Sequence, residues 1–267
     1  MTQPLIKDYP LNAQVNNYAL MITAIDPRVT LSGDPYITMT LRDASGEISL
    51  NLWSTKPEDA AYFNVGNVIL IEKGTTTEYK GKKQIKVVKD DIKILPGTHP
   101  AAKPELYIET APIPVADMQK RINEHLAYIE TMNPRAHALV LQVLRTHGQE
   151  QFYTHPAAKL LHHSFYGGLA YHTLRMLDSV RAVAPLYPTV DASLAMAGVL
   201  LHDVGKIAEY KGYIDTDYTI EGLMVGHIAI SLEWLTEARI NLNIPANDKT
   251  LLNIRHIIAS QDRKSVV

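Results

Sequence analysis

The chain contains no cysteine, which excludes disulfides and thiolate metal sites alike. No apolar run approaches the roughly 20 residues that span a bilayer. The opening, MTQPLIKDYPLN, lacks the charged-then-apolar pattern of a secretory signal. The expected location is therefore the cytoplasm, with no membrane partner. Neither sign of charge is in excess: 26 Lys and Arg stand against 28 Asp and Glu. Any affinity for nucleic acid must then come from a local basic patch, because the field of the whole molecule is too weak to supply it. No internal repeat is evident. An apolar content of 46% with 20% charged residues argues against extended disorder. At 267 residues the chain is long enough for two domains, each with its own core.

The two halves differ in periodicity. Residues 15–97 alternate with period two in short runs rich in Val, Ile, Thr and Tyr: NNYALMITAIDPRV, PYITMTLRDAS, EISLNLWS, NVILIEKGTTTEY and KQIKVVKDDIKIL. Glycine-bearing pairs punctuate them at Ser32-Gly33, Ser45-Gly46, Val65-Gly66 and Lys80-Gly81. Five short strands, with a longer connection over 55–64 that could hold a helical turn, fit a five-stranded OB-type β-barrel over 15–97. Residues 1–14 form an N-terminal extension. Residues 98–115 are rich in Pro and Ala and read as a linker. From 116 to 260 the period is helical, with Asp191 and Asp248 at N-cap positions. The expected fold is therefore a multidomain one, a β-barrel followed by an all-α helical bundle.

OB barrels hold single strands by stacking bases on exposed aromatics beside a basic groove. The candidates are Tyr36, Trp53 and Tyr79, with Lys80, Lys82 and Lys83 in the last hairpin. Lys86, Lys89 and Lys93 follow, against Asp90 and Asp91, in the most basic stretch of the chain. Tyr36 and Trp53 equally fit ordinary barrel core, and lysines on a hairpin equally fit a solvated edge that discourages aggregation.

Eight of the eleven histidines lie between His147 and His256. In LLHDVGKIAEY, His202 and Asp203 adjoin each other inside an apolar helical run. A buried carboxylate needs compensation, and coordination to a cation supplies it. His172, in GGLAYHTLRML, and His227, in EGLMVGHIAI, lie on neighbouring helical stretches that can converge on the same point of a bundle. Imidazole and carboxylate ligands without sulfur suit first-row divalent metals rather than calcium. An Asp between two ions can bridge them, and Lys206, one turn beyond Asp203, can neutralise a phosphate oxygen. His163, just before the Gly167-Gly168 step, could touch substrate or cap a helix. His125, His137, His147 and His256 read as surface or packing residues.

The pattern His172, His202-Asp203 resembles the HD superfamily of metal-dependent phosphohydrolases. The longer strings LLHHSFYGGLAYHTLRML, LLHDVGKIAEY and YTIEGLMVGHI, preceded by an OB barrel, are similar to the YhaM-type 3′→5′ exoribonucleases, from about residue 15 to 260. The resemblance implies removal of nucleotides from the 3′ end of single-stranded RNA, or of single-stranded DNA, with a two-metal centre that is often manganese. It implies His172, His202 and Asp203 as metal ligands, His227 on the second ion, and Asp203 and Lys206 as the catalytic pair. It also hints at a homo-oligomer. Competing readings are an HD-type nucleotide phosphohydrolase and a non-catalytic single-strand binder.

The chain departs from this pattern after RHIIAS, where the family continues with a His-His-Gly step and a late Asp ligand, and this chain reads QDRKSVV. Residues 261–267 read as a non-native tail, because DRKSVV back-translates into a common sequencing adapter. That reading makes the HD domain incomplete and expects a longer gene with a histidine codon at position 261.

Overall fold

The computed structural model describes residues 4–53, 55, 57–148, 150–159, 164–214 and 216–261. Its contacts divide the chain into two compact units, Met1–Glu109 and Thr110–Val267.

The first unit is a single curled sheet. Its strands are β1 (Gln14–Val29), β2 (Pro35–Asp43), β3 (Gly46–Trp53), β4 (Val68–Tyr79), β5 (Lys82–Lys86) and β6 (Ile92–Ile94). Pairing runs β1–β2–β3–β5–β4, and β4 pairs back onto β1, so the sheet returns to its starting strand. This is the OB-type arrangement, with β6 as a short addition on β4. One long strand serves two neighbours: the end of β1 pairs with β2 and its beginning with β4, and a register shift between Ile22 and Ala24 bends it from one to the other. The run KQIKVVKDDIKIL is not one strand. A 3₁₀ turn at Lys89–Asp91 breaks it, and the chain recrosses to add β6 beside β4. The connection after β3 holds a 3₁₀ helix, Pro57–Tyr62.

Alternation puts Ile37, Met39, Leu41, Ile48, Leu50, Leu52, Ile69, Ile71 and Ile85 inside. The buried Asp43 carboxylate is fully engaged. It accepts from Tyr18 Oη, Ile6 N and both Ser45 N and Ser45 Oγ, each at 2.7 Å. The segment before β1 is thereby held to the barrel rather than left loose. The stretch over 98–115 carries two 3₁₀ turns, Pro100–Ala102 and Pro104–Leu106.

The second unit is helical among its described residues, apart from isolated bridges. Its helices are α1 (Val115–Met132), α2 (Pro134–His147), α3 (Gln151–Thr154), α4 (Gly168–Val183), α5 (Ala192–His202), α6 (Lys206–Glu209), α7 (Ile220–Met224), α8 (His227–Asn241) and α9 (Lys249–Ser260). Helix α5 is the axis of the bundle. It carries Met196, Ala197, Val199, Leu200 and Leu201 into the core, and α1, α2, α4, α8 and α9 pack around it. A helix apolar all round is a buried one. Its start is fixed by Asp191, whose Oδ1 accepts from Ser193 N and Leu194 N, and Asp248 caps α9 in the same way. No helix among the described residues is long and apolar enough to cross a membrane.

Candidate functional site

Helix α5 ends at His202, so Asp203 stands just past its C-terminus rather than within a continuous helix. The orphan carbonyls there favour positive charge. His202 Nδ1 meets Val199 O at 2.7 Å, which makes Nδ1 the donor and leaves the lone pair on Nε2. From α4, His172 brings its Nε2 to 3.3 Å from His202 Nε2 and 3.6 Å from Asp203 Oδ2. His202 Nε2 itself lies 3.3 Å from Asp203 Oδ2. Ligand atoms of these three residues all fall within 4.8 Å of one another.

The other carboxylate oxygen looks the opposite way. Asp203 Oδ1 is 3.4 Å from Nε2 of His227, the first residue of α8. The helical stretch EGLMVGHIAI breaks between α7 and α8, so His227 opens α8 and faces Asp203. His227 is held from behind by Glu209: Oε1 accepts from His227 N at 3.1 Å and pairs with Nδ1 at 3.0 Å. Glu209 is a buried carboxylate that sequence reasoning missed. Its signal was present, as an acidic residue inside LLHDVGKIAEY, yet a Glu in a short helix ordinarily reads as solvent-facing.

Two glycines allow the elements to close on this point. A Cβ at Gly205 would sit 2.2 Å from His227 O, and one at Gly222 would sit 2.2 Å from Glu209 O. Neither backbone contact tolerates a side chain. Gly205 N also donates to Ser231 Oγ at 2.9 Å, pinning the turn to α8.

The electrostatics call for a cation. With Nδ1 donating in both His202 and His227, their lone pairs on Nε2 face the Asp203 oxygens. Lone pair against lone pair repels unless a proton on the imidazole or a metal ion stands between them. Lys206 supplies part of the positive charge, with Nζ 2.8 Å from Asp203 Oδ2. Burial alone would push the Asp203 carboxyl up; the hydrogen bond and charge of His202, then Lys206, outweigh it and hold the group well below the usual carboxylate range. Glu209 follows the same logic, raised by burial and brought down further by His227. The donor set of imidazole nitrogens and a carboxylate, with His202 and Asp203 buried and His172 and His227 half-buried, fits a divalent metal ion.

The remaining histidines fall elsewhere. His125 pairs with Asp178 at 3.3 Å, His147 lies flat on Trp234 at 4.2 Å, and His256 is exposed on α9. His163 lies outside the described residues, as does the tail beyond Gln261.

On the first unit, a groove of about 640 Å³ runs over the outer face of β2, β3, β4 and β5. Tyr36 and Trp53 are cross-strand partners stacked at 4.7 Å and 24°, and Trp53 is 57% exposed. Tyr79 and Lys82 close the hairpin end of the groove, and Lys80 reaches over the Tyr79 ring at 5.3 Å from the turn. Lys83 is a correction. Its neighbours Lys82 and Gln84 face the groove, so alternation turns Lys83 away, and its ammonium binds the carbonyls of Ile6 and Tyr9. Lys89 and Lys93 are taken up by Asp59 and Glu72. Residues not anticipated as groove lining include Arg28, Thr38, Asn51 and Gln84.

Comparison with known proteins fits this geometry. A family model described as the HD domain matches residues 169–266, the stretch that supplies His172, His202, Asp203 and His227. The 3′-5′ exoribonuclease YhaM of Halalkalibacterium halodurans is 35% identical over 257 residues, covering 96% of this chain and 77% of its own length. The chain belongs to the YhaM exoribonuclease family. The YhaM of Bacillus velezensis is 34% identical over 262 residues, covering 96% of this chain and 79% of its own length. Among solved structures, an OB domain from Methanosarcina mazei is 22% identical and covers 35% of this chain and 86% of its own, with a TM-score of 0.27. YhaM relatives thus span both units of this chain.

Proposed function

We propose that this chain is a metal-dependent exoribonuclease that removes nucleotides from the 3′ end of single-stranded RNA. The observation that carries the reading is the convergence of His172, His202 and Asp203 on one point, with His227 on the far oxygen of Asp203. The relatives named as 3′-5′ exoribonucleases, alike over nearly the whole chain, support the substrate class.

His172, His202, Asp203 and His227 would hold the divalent metal, with His172 and His202 near one oxygen of Asp203 and His227 near the other. Divalent metal, manganese by expectation, would supply Lewis acidity there and lower the pKa of water. Glu209 fixes the His227 ring so that Nε2 points forward. Lys206, which neutralises Asp203 in the structure, offers its ammonium to a phosphate oxygen of the substrate. The first unit holds the strand by stacking on Trp53 and Tyr79 and through Arg28, Lys82 and Lys86 at phosphates.

A 5′-labelled single-stranded RNA incubated with Mn²⁺ tests this. A ladder shortening from the 3′ end is expected, lost in Asp203→Ala and in EDTA. RNA retained by the protein but never shortened would leave a binding protein and remove the nuclease reading.

A further inference from the structure

We infer that the first unit carries a second nucleic-acid groove, on the far side of Trp53, and that a longer single strand passes over the indole from one groove into the other. This rests on the reading that the first unit binds single-stranded nucleic acid, and it extends the path beyond the face where Tyr36 and Tyr79 lie.

The second groove measures about 600 Å³ and runs between the start of β1, the middle of β4 and the segment joining β5 to β6. Trp53 and Lys86 line both grooves, so the two meet at these side chains. The Trp53 ring has two faces, and Tyr36 already covers one of them. A base that stacks on this indole uses the other face. Strand order places that face: β3 lies between β2, which bears Tyr36, and β5. The parallel register pairs Ser49 with Gln84 and Leu50 with Ile85. Beyond the paired residues, Val88 lines the same groove as Trp53. Val88 is 63% exposed. An exposed valine and an open indole face in one groove form an apolar slot for one base.

Charge agrees with the stacking geometry. Lys73 and Lys86 are exposed, and among the described residues neither is in an ion pair. Lys89 is bound to Asp59, and Asp91 is the acidic residue of the lining. Gln14 and Thr75, hydrogen-bonded to each other at 3.3 Å, supply polar groups between them. A slot for a base flanked by two free ammonium groups is what a single strand of ribose phosphate requires.

The test uses the full chain in EDTA, so that nothing is cut, and fluorescein-labelled oligouridylates of about four to about sixteen nucleotides, the range one OB fold covers. Anisotropy gives affinity at each length. Lys73→Ala and, separately, Val88→Asp are expected to leave the shortest oligomer unaffected and to weaken the longest several-fold. For the longest oligomer, Lys73→Ala should also flatten the slope of log affinity against log salt by about 0.7, one phosphate contact on a single strand. Trp53→Ala, at the junction, should weaken every length. If Trp53→Ala weakens binding while Lys73→Ala and Val88→Asp change no length, or all lengths equally, the second groove is overturned and the first stands. If the unaltered chain holds no oligouridylate at any length, both readings fall.

Discussion

Asp203 offers its two oxygens to different neighbours, and what stands behind each neighbour decides how well the site is built. His202 is oriented by a backbone carbonyl, which no side-chain substitution removes. His227 is oriented by Glu209, which a single substitution alters. Glu209→Gln should therefore lower metal affinity by about 10- to 100-fold, the usual cost of an outer partner. Calorimetric titration with Mn²⁺ measures this, and unchanged affinity would reduce Glu209 to packing. In the first unit, Asp43 is a buried carboxylate whose ionisation bears on stability. Burial would raise its pKa, but hydrogen bonds from Ser45, Tyr18 and Ile6 bring it below the usual value. A depressed carboxylate contributes stability that is present above the unfolded value of about 3.9 and is lost as pH falls through the lower folded value. Asp43→Asn should cost about 1–3 kcal/mol at neutral pH, and its deficit in thermal melts should shrink as the pH is taken below 4. A deficit independent of pH would contradict the assignment.

The elements show what a sequence can reveal of such a site. His202, Asp203 and Lys206 were legible because they lie in one short string, where adjacency and a single turn fix their relation without knowledge of the fold. The barrel was legible from alternation, and the bundle from helical period and the N-cap aspartates. Glu209 was not, because its role depends on α8 arriving from elsewhere. Thr38, Asn51 and Gln84 became a groove lining only through cross-strand register, which no run of residues displays on its own. Lys83 went wrong for a local reason: composition marked the hairpin as basic, while period two divides its lysines between faces. The close approach at Gly205 belongs to this scale too. Gly205→Ala must push the α5–α6 turn away from the start of α8, at about 1–3 kcal/mol of overpacking. It should also separate His227 from Asp203, so metal titration should show a lost or weakened site in a protein whose circular dichroism remains helical. Full metal affinity in that variant would mean that α8 is not placed by this contact.

For the molecule as a whole, near-neutral net charge makes RNA affinity depend on a few exposed cations rather than on a general field. Binding measured in EDTA should weaken steadily with salt, and the double replacement of Lys82 and Lys86 by Ala should flatten that dependence by about 0.7 per lysine. An unchanged slope would move the binding surface elsewhere. The placement of the aromatic residues has one more consequence. The chain has two tryptophans, Trp53 in the first unit and Trp234 in the second. Trp53 stands 57% exposed against Tyr36, whereas Trp234 is half-buried under the ring of His147. Each unit thus carries its own built-in optical label. Replacing either indole by Phe leaves one tryptophan, whose selectively excited emission reports on the other unit, so the unfolding of barrel and bundle can be followed separately without any added dye.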